Sequence, residues 1–185
     1  METALVVPAQ VRWSASLVAR SLEHDDSQLE SDASAYHALT DFQRECPITI
    51  DTNNSIDDAL ADMNRLGVHA LLVTKRSFGG ANVAGLITAY DIARERPHNS
   101  WPTTGTRPQK HVTVGEIMTP RSELSLVNYE SLATLTALDL YRMFQGTGLT
   151  HLLVVESQSA DTLIARGLLS RATLARRLRR RPQIT

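Results

Sequence analysis

Two ten-residue stretches, Gly85 to Arg94 (GLITAYDIAR) and Gly167 to Arg176 (GLLSRATLAR), share one spacing: a glycine, two aliphatic residues, a hydroxyl residue, two variable positions, then a polar residue before an apolar one. They lie 82 residues apart, Gly85 to Gly167 and Thr88 to Ser170. A recurrence at fixed offset means one supersecondary unit used twice, and any fold must place both copies equivalently.

The residues before each stretch give the unit its order. Ile48-Thr49-Ile50 reads as a short strand, Asn53-Asn54 as a turn, and Ser55-Ile-Asp-Asp58 as a helix start. Ile56, Ala59, Leu60 and Met63 then recur at helical spacing, and Gly67 supplies the stop. His69 to Val73 and Val83 to Ile87 read as paired strands around Phe78-Gly79-Gly80, and Thr88 opens a helix that ends before Pro97. The predicted order is β-α-β-β-α.

Downstream, Leu124 to Val127, a helix opened by Ser131, His151 to Glu156, Leu163 to Leu169 and a helix opened by Ser170 repeat that plan. Aligning His69 with His151 implies an insertion, which is expected to lengthen the helix carrying Leu132, Leu135, Leu138, Leu140, Met143 and Phe144. Those residues exceed one apolar stripe, so a second buried face and self-association are expected. Residues 1–45 read as an arm with a short amphipathic helix (Val11, Trp13, Leu17, Val18, Leu22), 46–97 as the first repeat, 98–111 as a proline-rich linker around Trp101, and 112–181 as the second repeat.

Each hydroxyl residue sits where a strand becomes a helix, beside backbone N–H groups that lack intrahelical acceptors. Two readings of Thr88-Ala-Tyr-Asp91 stand side by side. In one, the hydroxyl and the acid three residues on hold a hydroxylated anionic ligand. In the other they form a capping box and hold only the helix.

The paired stretches, the strands HALLV (69–73) and HLLVV (151–155), and Val114-Gly-Glu-Ile-Met118-Thr-Pro120 resemble the CBS-domain family, whose tandem pairs form Bateman modules. The resemblance covers about 46–97 and 112–181. It implies an α+β protein of two β-α-β-β-α repeats in pseudo-two-fold arrangement, here with an N-terminal helical arm. It also implies a regulatory homodimer that binds AMP, ADP, ATP or S-adenosylmethionine and signals to a protein target. In the family's signature the hydroxyl residue contacts phosphate and the acid contacts ribose, which maps onto Thr88 and Asp91. The base contacts, by apolar side chains and main chain, would fall around Ile48 to Ile50 and around Val68, His69 and Ala70. Ser170 keeps the hydroxyl of the second copy, but Thr173 replaces the acid, so a weaker or empty second site is expected. Leu71 and Leu153 stand where many relatives have proline.

Charge and composition narrow the alternatives. With 19 Lys+Arg against 20 Asp+Glu, no global field favours nucleic acid or a membrane surface. Cys46 is the single cysteine, so no intrachain disulfide can form, and no apolar run is long enough to span a bilayer. A cytoplasmic location is expected. No metal-ligand spacing, nucleophile elbow or P-loop is present, so neither a metal nor an enzymatic activity is expected. Local charge remains in an acidic stretch (Glu23, Asp25, Asp26, Glu30, Asp32) and in arginines at 171, 176, 177 and 179–181. The arginines read as a solvated helix end, with contact to phosphates or to an acidic partner segment as alternatives. A ligand-free dimerisation scaffold and nucleic-acid binding through the arginine run are the competing functions.

Overall fold

The computed structural model describes residues 10–12, 27–77, 80–95, 112–159 and 162–178. Trp13, Trp101, the linker around it, Phe78-Gly79 and Arg179 to Arg181 lie outside these. In chain order the elements are β1 (Gln10–Arg12), β2 (Thr40–Asp41), β3 (Thr49–Asp51), α1 (Ile56–Leu66), β4 (Ala70–Ser77), β5 (Gly80–Thr88), α2 (Ala89–Glu95), α3 (Val114–Ile117), β6 (Thr119–Pro120), β7 (Leu126–Asn128), α4 (Ala137–Thr147), β8 (His151–Ser159), β9 (Thr162–Ser170) and α5 (Arg171–Leu178). Two compact units result: Pro47–Leu124, and a discontinuous one that joins the residues up to Cys46 to those from Ser125 onward.

In the first unit β3 runs parallel to β4, β4 antiparallel to β5, and β5 antiparallel to β6. The crossover from β3 to β4 is α1. Its start is fixed by Ser55 and Asp58: the Asp58 N–H donates to Ser55 Oγ at 3.0 Å, and Asp58 Oδ2 accepts from Ser55 Oγ at 2.8 Å. Gly67 ends it at φ 66°, a left-handed conformation that glycine adopts without penalty. The buried residues Ile56, Ala59 and Met63 pack with Leu71, Val73, Ile87, Ile92 and Val114 into one core.

The second unit repeats the frame: β7 is parallel to β8 and β8 antiparallel to β9, with α4 as the crossover between Thr136 and Gly148. The expected lengthening of its helix does not occur, since α1 and α4 both have 11 residues. The strand offset is 77 (Thr49 to Leu126), whereas the helix caps are offset by 81 (Ser55 to Thr136). The added residues form the 3-10 turn Tyr129–Thr134. Ser131 therefore lies in that turn, and Thr136, with Asp139 three residues on, caps the helix. His69 and His151 are not equivalent either. Ala70 pairs with Thr88 and His151 with Ser170, so Ala70 matches His151, and His69 matches Thr150.

The segment leading into each repeat packs on the other one. Val112–Pro120, expected to open the second repeat, is a strap on the first: Thr113 bridges to Ser55, the Val114 and Gly115 N–H groups donate to the Asn54 and Thr52 carbonyls, and β6 pairs with β5. Residues 27–41 do the same for the second repeat. Ser34 bridges to Thr136, Ala35 N–H donates to the Leu135 carbonyl at 2.9 Å, Ala137 N–H to that of Ala33 at 2.8 Å, and β2 pairs with β9. This explains the two signature glycines. A Cβ on Gly85 would strike the Thr119 carbonyl oxygen, and one on Gly167 the Thr40 carbonyl oxygen and Leu39. Each glycine lets a strap cross.

The strap 27–41 also accounts for the surplus leucines. Leu132 belongs to the 3-10 segment and Leu135 caps its end, and Leu29, Ala35 and Ala38 share a core with Leu132, Leu140 and Phe144. Leu132, Leu140 and Phe144, part of the face from which self-association was expected, are thus covered by the chain itself, while Leu138 and Met143 are half-buried. Within the arm, Gln10–Arg12 forms a strand parallel to Thr162–Ile164, where a helix was expected at Val11; β9 supplies backbone partners there. Trp13, Leu17, Val18 and Leu22 fall outside the described residues.

Candidate functional site

Thr88 ends β5 and is buried. Asp91 Oδ2 accepts hydrogen bonds from Thr88 N–H at 2.8 Å and Thr88 Oγ1 at 2.7 Å, while Asp91 N–H donates to Thr88 Oγ1 at 3.2 Å. This is a complete capping box. It uses one carboxylate oxygen only: among the described residues, Oδ1 of Asp91 has no hydrogen-bond partner, and a carboxylate offers about four lone-pair sites.

The ladder brings the β4 start to this box. Ala70 is the register partner of Thr88, and the His69 carbonyl accepts from Ala89 N–H at 2.9 Å. Val68 packs against the core. Ile48 and Ile50 are placed differently from expectation. Ile50 pairs with Val73, and Leu71 with Ile87; paired residues share a sheet face, and these all lie in the core under the helices. Thr88 shares the opposite face with Ala70, Leu72, Leu86 and Thr49 through the pairs Ala70–Thr88, Leu72–Leu86 and Thr49–Leu72. Ile48 and Ile50 therefore do not share a face with the Thr88 hydroxyl. Leu72, Leu86 and Thr49 do; Thr49 lies within the span Ile48 to Ile50 named from the sequence, and Leu72 and Leu86 were passed over. Period-two alternation holds the signal, since Thr88 fixes the parity of β5, but the pairing partners on β3 and β4 need the register.

In the second repeat the Thr173 N–H donates to Ser170 Oγ at 3.4 Å, and the first turn of α5 holds no acid. The arginines of that helix are not simply solvated. Arg177 is buried: its Nε donates to the Ser27 carbonyl at 2.8 Å, its Nη1 to the His37 carbonyl, and its Nη2 to Ser27 Oγ at 3.2 Å. Arg166 on β9 is the other buried charge among the described residues. It forms a two-pronged pair with Asp41 (Nε–Oδ1 and Nη2–Oδ2, each 2.9 Å), reaches Glu156 at 3.2 Å, and lies 4.1 Å from the Tyr129 ring centroid. The hydrogen bonds to Asp41 raise its pKa further and outweigh desolvation, so it stays cationic. Both buried arginines grip the strap 27–41. Among the described residues, no group of three or more His, Cys, Asp or Glu side chains is arranged to hold a metal ion, and no helix is long and apolar enough to cross a membrane.

Two β-α-β-β-α repeats, each with a hydroxyl residue where its second hairpin strand meets its last helix, define a class of α+β fold made from one unit used twice. Residues 39–98 match the family model described as CBS domain, and the second repeat has the same element order and strand pairing as the first. Solved structures share the fold. An uncharacterised conserved protein from Pyrococcus horikoshii is 20% identical at a TM-score of 0.54, with 85% of this chain and 100% of that one covered. The CBS domain of a bacterial CNNM/CorC family Mg2+ transporter, in complex with ATP, is 14% identical at 0.51, with 80% and 88% covered. GMP reductase from Trypanosoma brucei, in complex with guanosine 5'-monophosphate, is 17% identical at 0.54; the match covers 85% of this chain but only 28% of that enzyme. No curated protein matches the sequence.

Proposed function

We propose that this CBS pair is a regulatory module that binds an adenosine-containing ligand (AMP, ADP, ATP or S-adenosylmethionine) at the Thr88/Asp91 junction of the first repeat and signals to a protein target. The observation that carries the reading is Asp91: Oδ2 fixes the helix start and Oδ1 has no partner among the described residues, so the carboxylate can accept from ribose hydroxyls without opening its box. Thr88 Oγ1 lies beside it and would meet a phosphate by turning toward it the proton it gives to Asp91 Oδ2 in the free protein. Ala70 and Thr49, half-buried on the same face, offer apolar and hydroxyl surface for a base. The ATP complex of the transporter CBS domain supports a nucleotide ligand, and the GMP complex keeps a guanine nucleotide in the test panel. Ser170, with Thr173 in place of the acid, makes the second repeat the weaker site. The module acts by differential affinity between two states rather than by catalysis.

The competing reading is a ligand-free scaffold. The same box recurs at Ser55/Asp58, Thr113/Glu116 and Thr136/Asp139, where holding a helix start is sufficient work. Thermal shift decides between them. Ligand at 100 times its dissociation constant stabilises a fold by about 2.7 kcal/mol, or roughly 5 to 10 °C for a chain of this size. A shift with one of the nucleotides that is lost in Asp91→Ala and kept in Asp58→Ala supports the sensor. Equal loss of stability of about 1 kcal/mol in both variants, with no shift in any chain at millimolar ligand, establishes the scaffold.

A further inference from the structure

One segment of the first unit is bonded to several of the walls from which the nucleotide site is proposed to be built. The Val112 carbonyl accepts from Ile56 N–H at 3.1 Å, and the Val114 and Gly115 N–H groups donate to the Asn54 and Thr52 carbonyls at 2.8 Å, which ties the strap to the turn between β3 and α1. At its far end Thr119 pairs with Leu86 and Pro120 with Gly85, just ahead of Thr88. Between these ends Val114 is fully buried in the core that includes Ile92, with Ala89, Ile117 and Met118 packed around it. The strap thus braces β5 below the hydroxyl and α2 beside the carboxylate.

We infer that Val112–Pro120 is a positioning element for the Thr88/Asp91 site, so that ligand binding there and seating of the strap are thermodynamically linked. This rests on the nucleotide-binding reading above. A ligand that needs the hydroxyl and carboxylate in one geometry binds the strap-seated state, and by linkage it strengthens that seating by the factor with which it prefers it. The strap runs through Leu124 directly into Ser125, where the downstream part of the second unit begins. Seating is thereby the step at which a ligand on the first repeat acts on the chain leading into the other.

Amide hydrogen exchange on the full chain, with and without ATP, tests the link. At 100 times the dissociation constant, exchange at Val114, Gly115 and Met118 is expected to slow about 100-fold, in step with Asp91 and Ile92. Slowing at Asp91 and Ile92 with no change along the strap overturns the inference while leaving the binding site intact. No slowing anywhere, together with no melting shift, removes the nucleotide reading and this inference with it. A second arm uses Gly85→Ala, whose Cβ falls on the Thr119 carbonyl oxygen. It is expected to weaken ATP binding about tenfold by depopulating the competent state, although Gly85 presents no side chain to a ligand. Gly167→Ala, with the equivalent clash in the second unit, is expected to leave ATP binding unchanged. An unaltered ATP dissociation constant in Gly85→Ala overturns the positioning role.

Discussion

Among the described residues, four carboxylates do one local job: Asp58, Asp91, Glu116 and Asp139 each accept hydrogen bonds from the hydroxyl residue three positions earlier and from its N–H. At Asp139 the bonds from the Thr136 hydroxyl and N–H, aided by Arg142, hold the carboxyl below its ordinary pKa. A depressed folded-state pKa contributes stability above the unfolded value of about 4, and that contribution is lost as pH falls through the depressed value. Denaturant unfolding as a function of pH is therefore expected to show a shallower acid limb in Asp139→Asn than in the parent chain. An unchanged limb assigns the acid sensitivity elsewhere. Sequence reading found the helix starts at Ser55 and Thr88, but it opened the later helix at Ser131 instead of Thr136 and did not single out Thr113. Which carboxylate oxygen is engaged was not legible, because that depends on a rotamer, and the choice between cap and ligand contact at Asp91 turns on that oxygen.

At the scale of elements, the informative contrast is between the two straps. Pro120 and Asp41 occupy the same place opposite their signature glycines, and only Asp41 meets a buried arginine. Removing one member of a buried ion pair leaves the other charged and unpaired, so Asp41→Ala is expected to cost about 3 kcal/mol. Glu156→Ala, at the more exposed end of the cluster, is expected to cost under about 1 kcal/mol. Equilibrium urea unfolding measures both, and equal small losses would show that the clamp adds nothing. Sequence patterning found the helices, the hairpins and the element order, because apolar spacing and cap residues are local. It misplaced the insertion, which it assigned to α4. It also set His69 against His151, where strand pairing sets Ala70 there. A one-residue shift in a strand leaves composition unchanged and exchanges every face, so only the ladder could correct it.

For the molecule as a whole, the exchange of lead-in segments makes neither repeat a self-sufficient folding unit. A chain beginning at Pro47 would lose the buried Leu29, Ala35 and Ala38 and would leave Arg166 and Arg177 without their strap partners. The expected cost is on the order of 5 kcal/mol, comparable with the stability of a domain. Amide resonances of residues 125–178 are then expected to collapse toward unfolded shifts while those of 47–95 keep their dispersion. Retained dispersion in both would contradict the exchange. The sequence alone determined the duplication, the β-α-β-β-α order and the hydroxyl-acid pair that only the first copy keeps, because periodicity and capping act over a few residues. Tertiary structure decided which segment completes which repeat, which face Thr88 shares, and that two arginines work inside the protein, because those depend on strand register and on contacts between distant residues, such as Gly85 with Pro120 and Arg166 with Asp41, that no local spacing encodes.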